Sequence, residues 1–147
     1  MVTDDAARRA AMTTQVRTAP ELEQLWRALL EPLGFGRRTL WLQLLAEDGL
    51  PAPQIIQIDD VPLEPDDRAC RSLMGICSQV LEENAPGGSV AILLSRPGRD
   101  GMRDDDRRWA RNLTAAGADA SVDLWPVHLA NDSRLLVFAP DDLLLSG

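Results

Sequence analysis

The stretch from Ser89 to Asn112, SVAILLSRPGRDGMRDDDRRWARN, constrains the fold more than any other. Val90 to Leu94 is an unbroken aliphatic run, the pattern of a strand buried on both faces. Pro97 and Gly98 stop it at once, and Asp104, Asp105 and Asp106 then put three carboxylates where a helix would begin, complementing the positive end of its dipole. The unit is strand, loop, helix. In open α/β sheets, ligands and catalytic groups gather at the carboxyl ends of such strands, so Ser95, Arg96, Pro97 and Gly98 stand where chemistry is expected. None of the four is a metal ligand or a strong nucleophile.

The chain before this unit divides into an arm, a helix, a hairpin and a second helix. Met1 to Arg17 carries no large aliphatic stripe and is expected to be a flexible N-terminal arm, with residues 18–147 forming a single domain. Thr18 to Glu21 has the spacing of a capping box, and Pro20 suits a first helical turn. Leu22, Leu25, Trp26, Leu29, Leu30 and Leu33 then recur along one helical face, with Gly34 as the expected stop. That stripe either covers the domain's own sheet or, through Leu22, Leu25, Trp26 and Leu29, meets another subunit. Thr39 to Leu45, a turn at Glu47-Asp48-Gly49, and Pro53 to Val61 read as a long hairpin. A helix over 67–83 follows, capped by Asp66 or Asp67, with Leu73, Ile76, Cys77, Val80 and Leu81 on its inner side.

After the central unit, a helix over 104–116 has Trp109, Leu113 and Ala116 inward and Gly117 at its close. Val122 to Leu129 and Leu135 to Phe138 are the last strands, joined through Asn131-Asp132-Ser133. The order α, β, β, α, β, α, β, β belongs to one mixed sheet flanked by helices, an α/β (α+β) domain of three layers.

Composition narrows the function classes. With 23 Asp and Glu against 15 Lys and Arg, a net charge of −8, and arginines scattered among aspartates, the chain repels phosphate backbones and anionic membrane surfaces. Nucleic acid is not an expected partner. Tyr is absent and Phe occurs twice, so stacking platforms for single strands are scarce. No apolar run reaches the roughly 18 residues of a membrane span, and no signal-type block opens the sequence, so a cytoplasmic location is expected. Cys70 and Cys77, seven apart in a helix and thus roughly 10 Å apart along its axis, are expected to be free, packed thiols.

From Arg38 to Asp142 the chain resembles the JAB/MPN metalloprotease-like family, most closely the RadC-type bacterial proteins. The stretches that carry the resemblance are TLWLQLLAEDGLPAPQIIQIDD, VPLEPDDRACRSLM, SVAILLSRPG and WPVHLANDSRLLVFAPDDL, in the family's order. The resemblance implies a cytidine-deaminase-like architecture and, in active members, a zinc held by two histidines one residue apart before a proline and by an aspartate on the next helix, with a serine before it. Here Pro97 is kept, but the histidine positions are Leu94 and Arg96; Asp106 stands at the aspartate and Arg103 at the serine. Leu94 has no donor atom and Arg96 is a fixed cation, so neither ligates zinc. The degenerate site is then Leu94, Ser95, Arg96, Pro97 and Asp106. No metal, no cofactor and no catalytic residue is expected, and the function implied is a pseudoenzyme: a protein-binding or scaffold module whose partner is another protein or a second copy.

Other chemistry is conceivable at the same residues. A hydrolase with a replaced active site at Ser95-Arg96-Pro97 would need His128, the sole histidine, and an aspartate such as Asp123 as partners for Ser95, without the usual nucleophile elbow. Asp100 with Asp104 to Asp106 could hold a hard cation, though their spacing fits no EF-hand and capping explains them better. Arg96, Arg99 and Arg103 could receive an anion, against the competition of those aspartates. Contact with a protein would use the hairpin's sheet edge, the first helix or the apolar tail at Leu143 to Leu145.

Overall fold

The computed structural model describes residue 6 and residues 9–143. Its elements are α1 (Ala19–Leu30), β1 (Thr39–Leu45), β2 (Pro51–Asp59), α2 (Asp67–Asn84), β3 (Ser89–Ser95), α3 (Asp104–Asp119), β4 (His128–Ala130), β5 (Leu135–Val137) and a 3₁₀ turn at Pro140–Leu143. The five strands form one mixed sheet in the order β2-β1-β3-β4-β5. Only β3 and β4 run parallel. This is the α/β domain with a mixed sheet that the alternation of elements implies.

β3 is buried at all seven positions because helices cover both faces. Val90, Ile92 and Leu94 join the core beneath α2 and α3, whereas Ala91 and Leu93 join the one beneath α1, as the two-residue period of a strand requires. Leu94 and Arg96 therefore project to the side of α3.

The expected capping box is present at α1: the Thr18 hydroxyl accepts from the Glu21 amide at 3.3 Å, and Glu21 returns the contact to the Thr18 amide at 3.0 Å. The helix ends at Leu30 rather than Leu33, because Pro32 disfavours the α conformation at Glu31, whose ψ is 143°. Leu22, Leu25 and Trp26 are fully buried against the sheet and Leu29 is half-buried. The first three are thus core residues of the monomer and not a free interaction surface.

Four further expectations need correction. The segment before α1 does bury an apolar side chain: Val16 is 4% exposed, and its amide donates to the Gly49 carbonyl at 2.8 Å. Ala11 and Met12 pack beside it, while residues 1–5, 7 and 8 of the arm, like Leu144 and Leu145 of the tail, lie outside the described residues. In α2 the inward face is Cys70, Met74, Cys77 and Leu81, and Ile76 is 58% exposed. Gly117 does not close α3, which runs on to Asp119; the glycine is instead a close-packing point, where an added Cβ would lie 3.3 Å from Leu124.

The strand expected over 122–129 is reduced to His128–Ala130 and one isolated bridge from Val90 to Leu124. From that bridge to the pair Leu93 with His128, four steps along one chain match three along the other. The extra residue falls around Pro126, which has no N–H to give to a ladder.

Burial of Cys70 and Cys77 pushes both thiols up to about 11, with Asp67 and Asp66 adding to the effect at Cys70. Thiolate is the reactive form. An aromatic disulfide reagent at neutral pH is expected to modify neither cysteine in the folded protein and both after denaturation, read by absorbance; fast labelling of the folded chain would contradict this packing.

Candidate functional site

The loop from Arg96 to Arg103, between β3 and α3, carries the residues singled out by the sequence. Arg96 and Asp106 meet there. The guanidinium is 1% exposed and the carboxylate 0%. Nε of Arg96 donates to Oδ1 of Asp106 at 2.9 Å and Nη2 to Oδ2 at 2.7 Å, the fork geometry of a strong ion pair. The other donors are also engaged: Nη1 reaches the Pro97 carbonyl at 3.1 Å and Asp100 at 3.5 Å, and Nη2 reaches the Gly101 carbonyl at 3.0 Å. Hydrogen bonding to Asp106 raises the already high pKa of Arg96, outweighing the opposite effect of burial.

Asp106 is at the third position of α3, and from there it accepts from the Arg103 amide at 2.9 Å. Arg103 stands at the N-cap, but its side chain has no acceptor, so the helix is capped from within by this carboxylate. Arg103 instead clasps Asp100, with Nε to Oδ2 at 2.7 Å, and holds that carboxyl down to about 2.

Arg38, which no local sequence pattern marks, enters the same cluster. Thr39 pairs with Ser95, which sets Arg38 across from Arg96 where the two strands end. Two guanidinium groups side by side repel each other, and Asp105 and Asp106 offset this: Arg38 lies 3.0 Å from Asp105 and 3.6 Å from Asp106. Arg38, Arg96 and Arg103 against Asp100, Asp105 and Asp106 make a neutral cluster. Both oxygens of Asp106 accept from N–H groups, Oδ1 from Arg96 Nε and Oδ2 from Arg96 Nη2 and the Arg103 amide.

Asn131 and Asp132, read from sequence only as a turn, fasten the loop from below. Asp132 accepts from the Gly98 amide at 2.9 Å and from the Phe35 amide at 3.0 Å, and these two bonds lower its pKa. Gly98 has φ of +111°, and an added Cβ would sit about 3 Å from the Arg103 and Arg96 guanidinium groups, so both conformation and space call for glycine.

The remaining candidates are on the other face or in the core. The Ser95 hydroxyl is fully buried and accepts from the Trp41 indole at 2.8 Å. His128 pairs with Leu93 and points toward the α1 side; its Nδ1 lies 3.1 Å from the Pro126 carbonyl, and burial lowers its pKa. Among the described residues, no hydrogen bond joins Ser95 to His128, and no cluster of three His, Cys, Asp or Glu side chains could hold a metal ion. Leu94 is wholly buried beside Arg96 on the α3 side, and Pro97 turns the chain into the loop. No helix among the described residues is long and apolar enough to cross a membrane.

No family model matches this chain, and neither does any curated protein.

Proposed function

We propose that the chain is a non-catalytic protein-binding or scaffold module, a JAB/MPN-like domain of the RadC type in which an internal ion pair stands in place of the zinc. One observation carries this: the guanidinium of Arg96, buried and fully hydrogen-bonded, occupies the carboxylate of Asp106. A catalytic zinc needs three convergent ligands and an open position for water. Arg96 supplies a permanent positive charge where a dication would sit, which repels the metal as well as failing to ligate it. The free, buried cysteines fit the reducing cytoplasm, where we place the protein. With ligands replaced by salt bridges, what is left to a domain of this kind is its surface, and the partner is a protein or a second copy.

The test pairs a negative assay with a positive one. Peptide and isopeptide substrates should be cleaved no faster with the purified chain than without it, and chemical cross-linking in the native host should join it to a specific protein. Cleavage abolished by Ser95→Ala would favour a hydrolase with a replaced site instead.

A further inference from the structure

β2 is an edge strand, and the outer side of α2 runs alongside it. Between them lies a groove in two parts. The first, a cleft of about 450 Å³, is bounded by Leu40, Ile58, Val61, Leu73, Ile76 and Trp109. The second, of similar volume, continues past Ile56 and Val80 toward Pro51. Ile56 and Ile76 are two of the four large hydrophobic side chains left most exposed, at 39% and 58%. Beyond the ladder with β1, no backbone hydrogen bond among the described residues reaches residues 53–58. Pro51 and Pro53 blunt one end of this edge, since proline cannot donate to an added strand, but residues 54–59 contain no proline.

Charge decides what fits there. Every charged residue lining the first cleft is an aspartate: Asp59, Asp60 and Asp66. Arg37, at 3.7 Å from Asp59 and 3.4 Å from Asp60, offsets only part of that charge. A second copy is a poor occupant. Each copy carries a net charge of −8, and pairing two β2 edges antiparallel would bring Glu47 and Asp48 of one toward Asp59 and Asp60 of the other.

Resting on the protein-binding reading above, we infer that this groove takes an extended polypeptide segment of alternating apolar and basic residues. The segment adds as a strand to residues 54–59 of β2, sets an apolar side chain into the cleft beside Ile76, and places lysine or arginine against Asp60. Backbone bonds at the edge supply affinity and the cleft supplies selectivity, the division of labour seen in strand addition generally.

The probe is a displayed library of random short peptides selected against the intact chain. Peptides alternating aliphatic residues with lysine or arginine should be enriched, and their binding should weaken about tenfold or more in both Ile76→Asp and Asp60→Asn, each at an exposed position, asparagine tolerating the positive φ of residue 60. No enrichment over the Ile76→Asp chain used as bait, enrichment of acidic peptides, or binding indifferent to both substitutions would overturn the inference. So would self-association abolished by Ile76→Asp, which would put a second copy in the groove. A host protein that binds the Ile76→Asp chain undiminished would overturn the groove while leaving the module's protein-binding role intact; no protein partner at all would remove both.

Discussion

Replacing Asp106 by alanine is expected to destabilise the folded chain by about 3–5 kcal/mol, the cost of leaving a buried charge without its partner. Asp106 holds more than one group: it neutralises Arg96, lies 3.6 Å from Arg38 and caps the Arg103 amide. Its loss strands the Arg96 guanidinium and one helix N–H, and leaves Arg38 with Asp105 alone. Arg96→Met should cost less, because Arg38 and the Arg103 amide remain to satisfy the carboxylate. Combining Arg96→Met with Asp106→Leu should recover much of the loss, since well-packed apolar residues replace buried ion pairs at little net cost. Urea unfolding of the unmodified chain, Arg96→Met, Asp106→Leu and the double variant gives the coupling directly. Strictly additive effects would mean that the pair contributes no interaction energy.

Trp26→Ala should have an effect of similar size, about 3–5 kcal/mol, by opening a large cavity in the core between α1 and the sheet. The indole is 0% exposed and is surrounded by that cluster. Among the described residues, neither its buried Nε1 nor Oε1 of Gln43 on β1 has a hydrogen-bond partner. A buried N–H left unpaired carries a penalty of roughly 1–3 kcal/mol. Trp26→Phe removes that group together with part of the volume, so the two contributions oppose each other and the loss should be well under half that of alanine. Equal losses for phenylalanine and alanine would show that the indole N–H is satisfied in solution, most simply by a bound water.

The parts of the fold legible from sequence are those where one local signal dominates. β3 was readable because a strand covered on both sides is apolar at consecutive positions, and α1 because its capping box and Pro20 fix where it starts. Its end was misplaced at Leu33 since the apolar stripe continues past Pro32, and the proline outranks the stripe. The inner face of α2 was misassigned for a different reason. Cys70, Leu73, Met74, Ile76, Cys77, Val80 and Leu81 spread over an arc of about 160° at 3.6 residues per turn, wider than the buried stripe, so hydrophobicity alone does not choose which part of it meets the sheet. Val16 was missed because a single valine among Ala and Thr makes no period. Its burial follows from the hairpin turn at Gly49, a contact between segments far apart in sequence.

The same distinction runs through the candidate site. Sequence brought Arg96 and Asp106 to one locus, but as a lost ligand and a surviving one. That they bond to each other depends on the path of the loop between β3 and α3, which Gly98 and Asp132 set and no local pattern encodes. Arg38 needed the register of β1 against β3 to be seen at all. The aspartates at the start of α3 fit the role of dipole partners, and Asp106 does cap the helix, yet Asp105 and Asp106 also neutralise two arginines from the strand ends.

The metal content of the purified chain tests the central claim most directly. Expressed in zinc-supplemented medium, purified without chelator and measured by elemental analysis, the unmodified protein is predicted to carry no stoichiometric zinc, because Arg96 holds the Asp106 carboxylate. Leu94→His with Arg96→His, on the same side of β3 as Asp106, should gain measurable zinc affinity, and adding Asp106→Ala to that pair should remove it. One zinc per chain in the unmodified protein, lost in Asp106→Ala, would contradict the account.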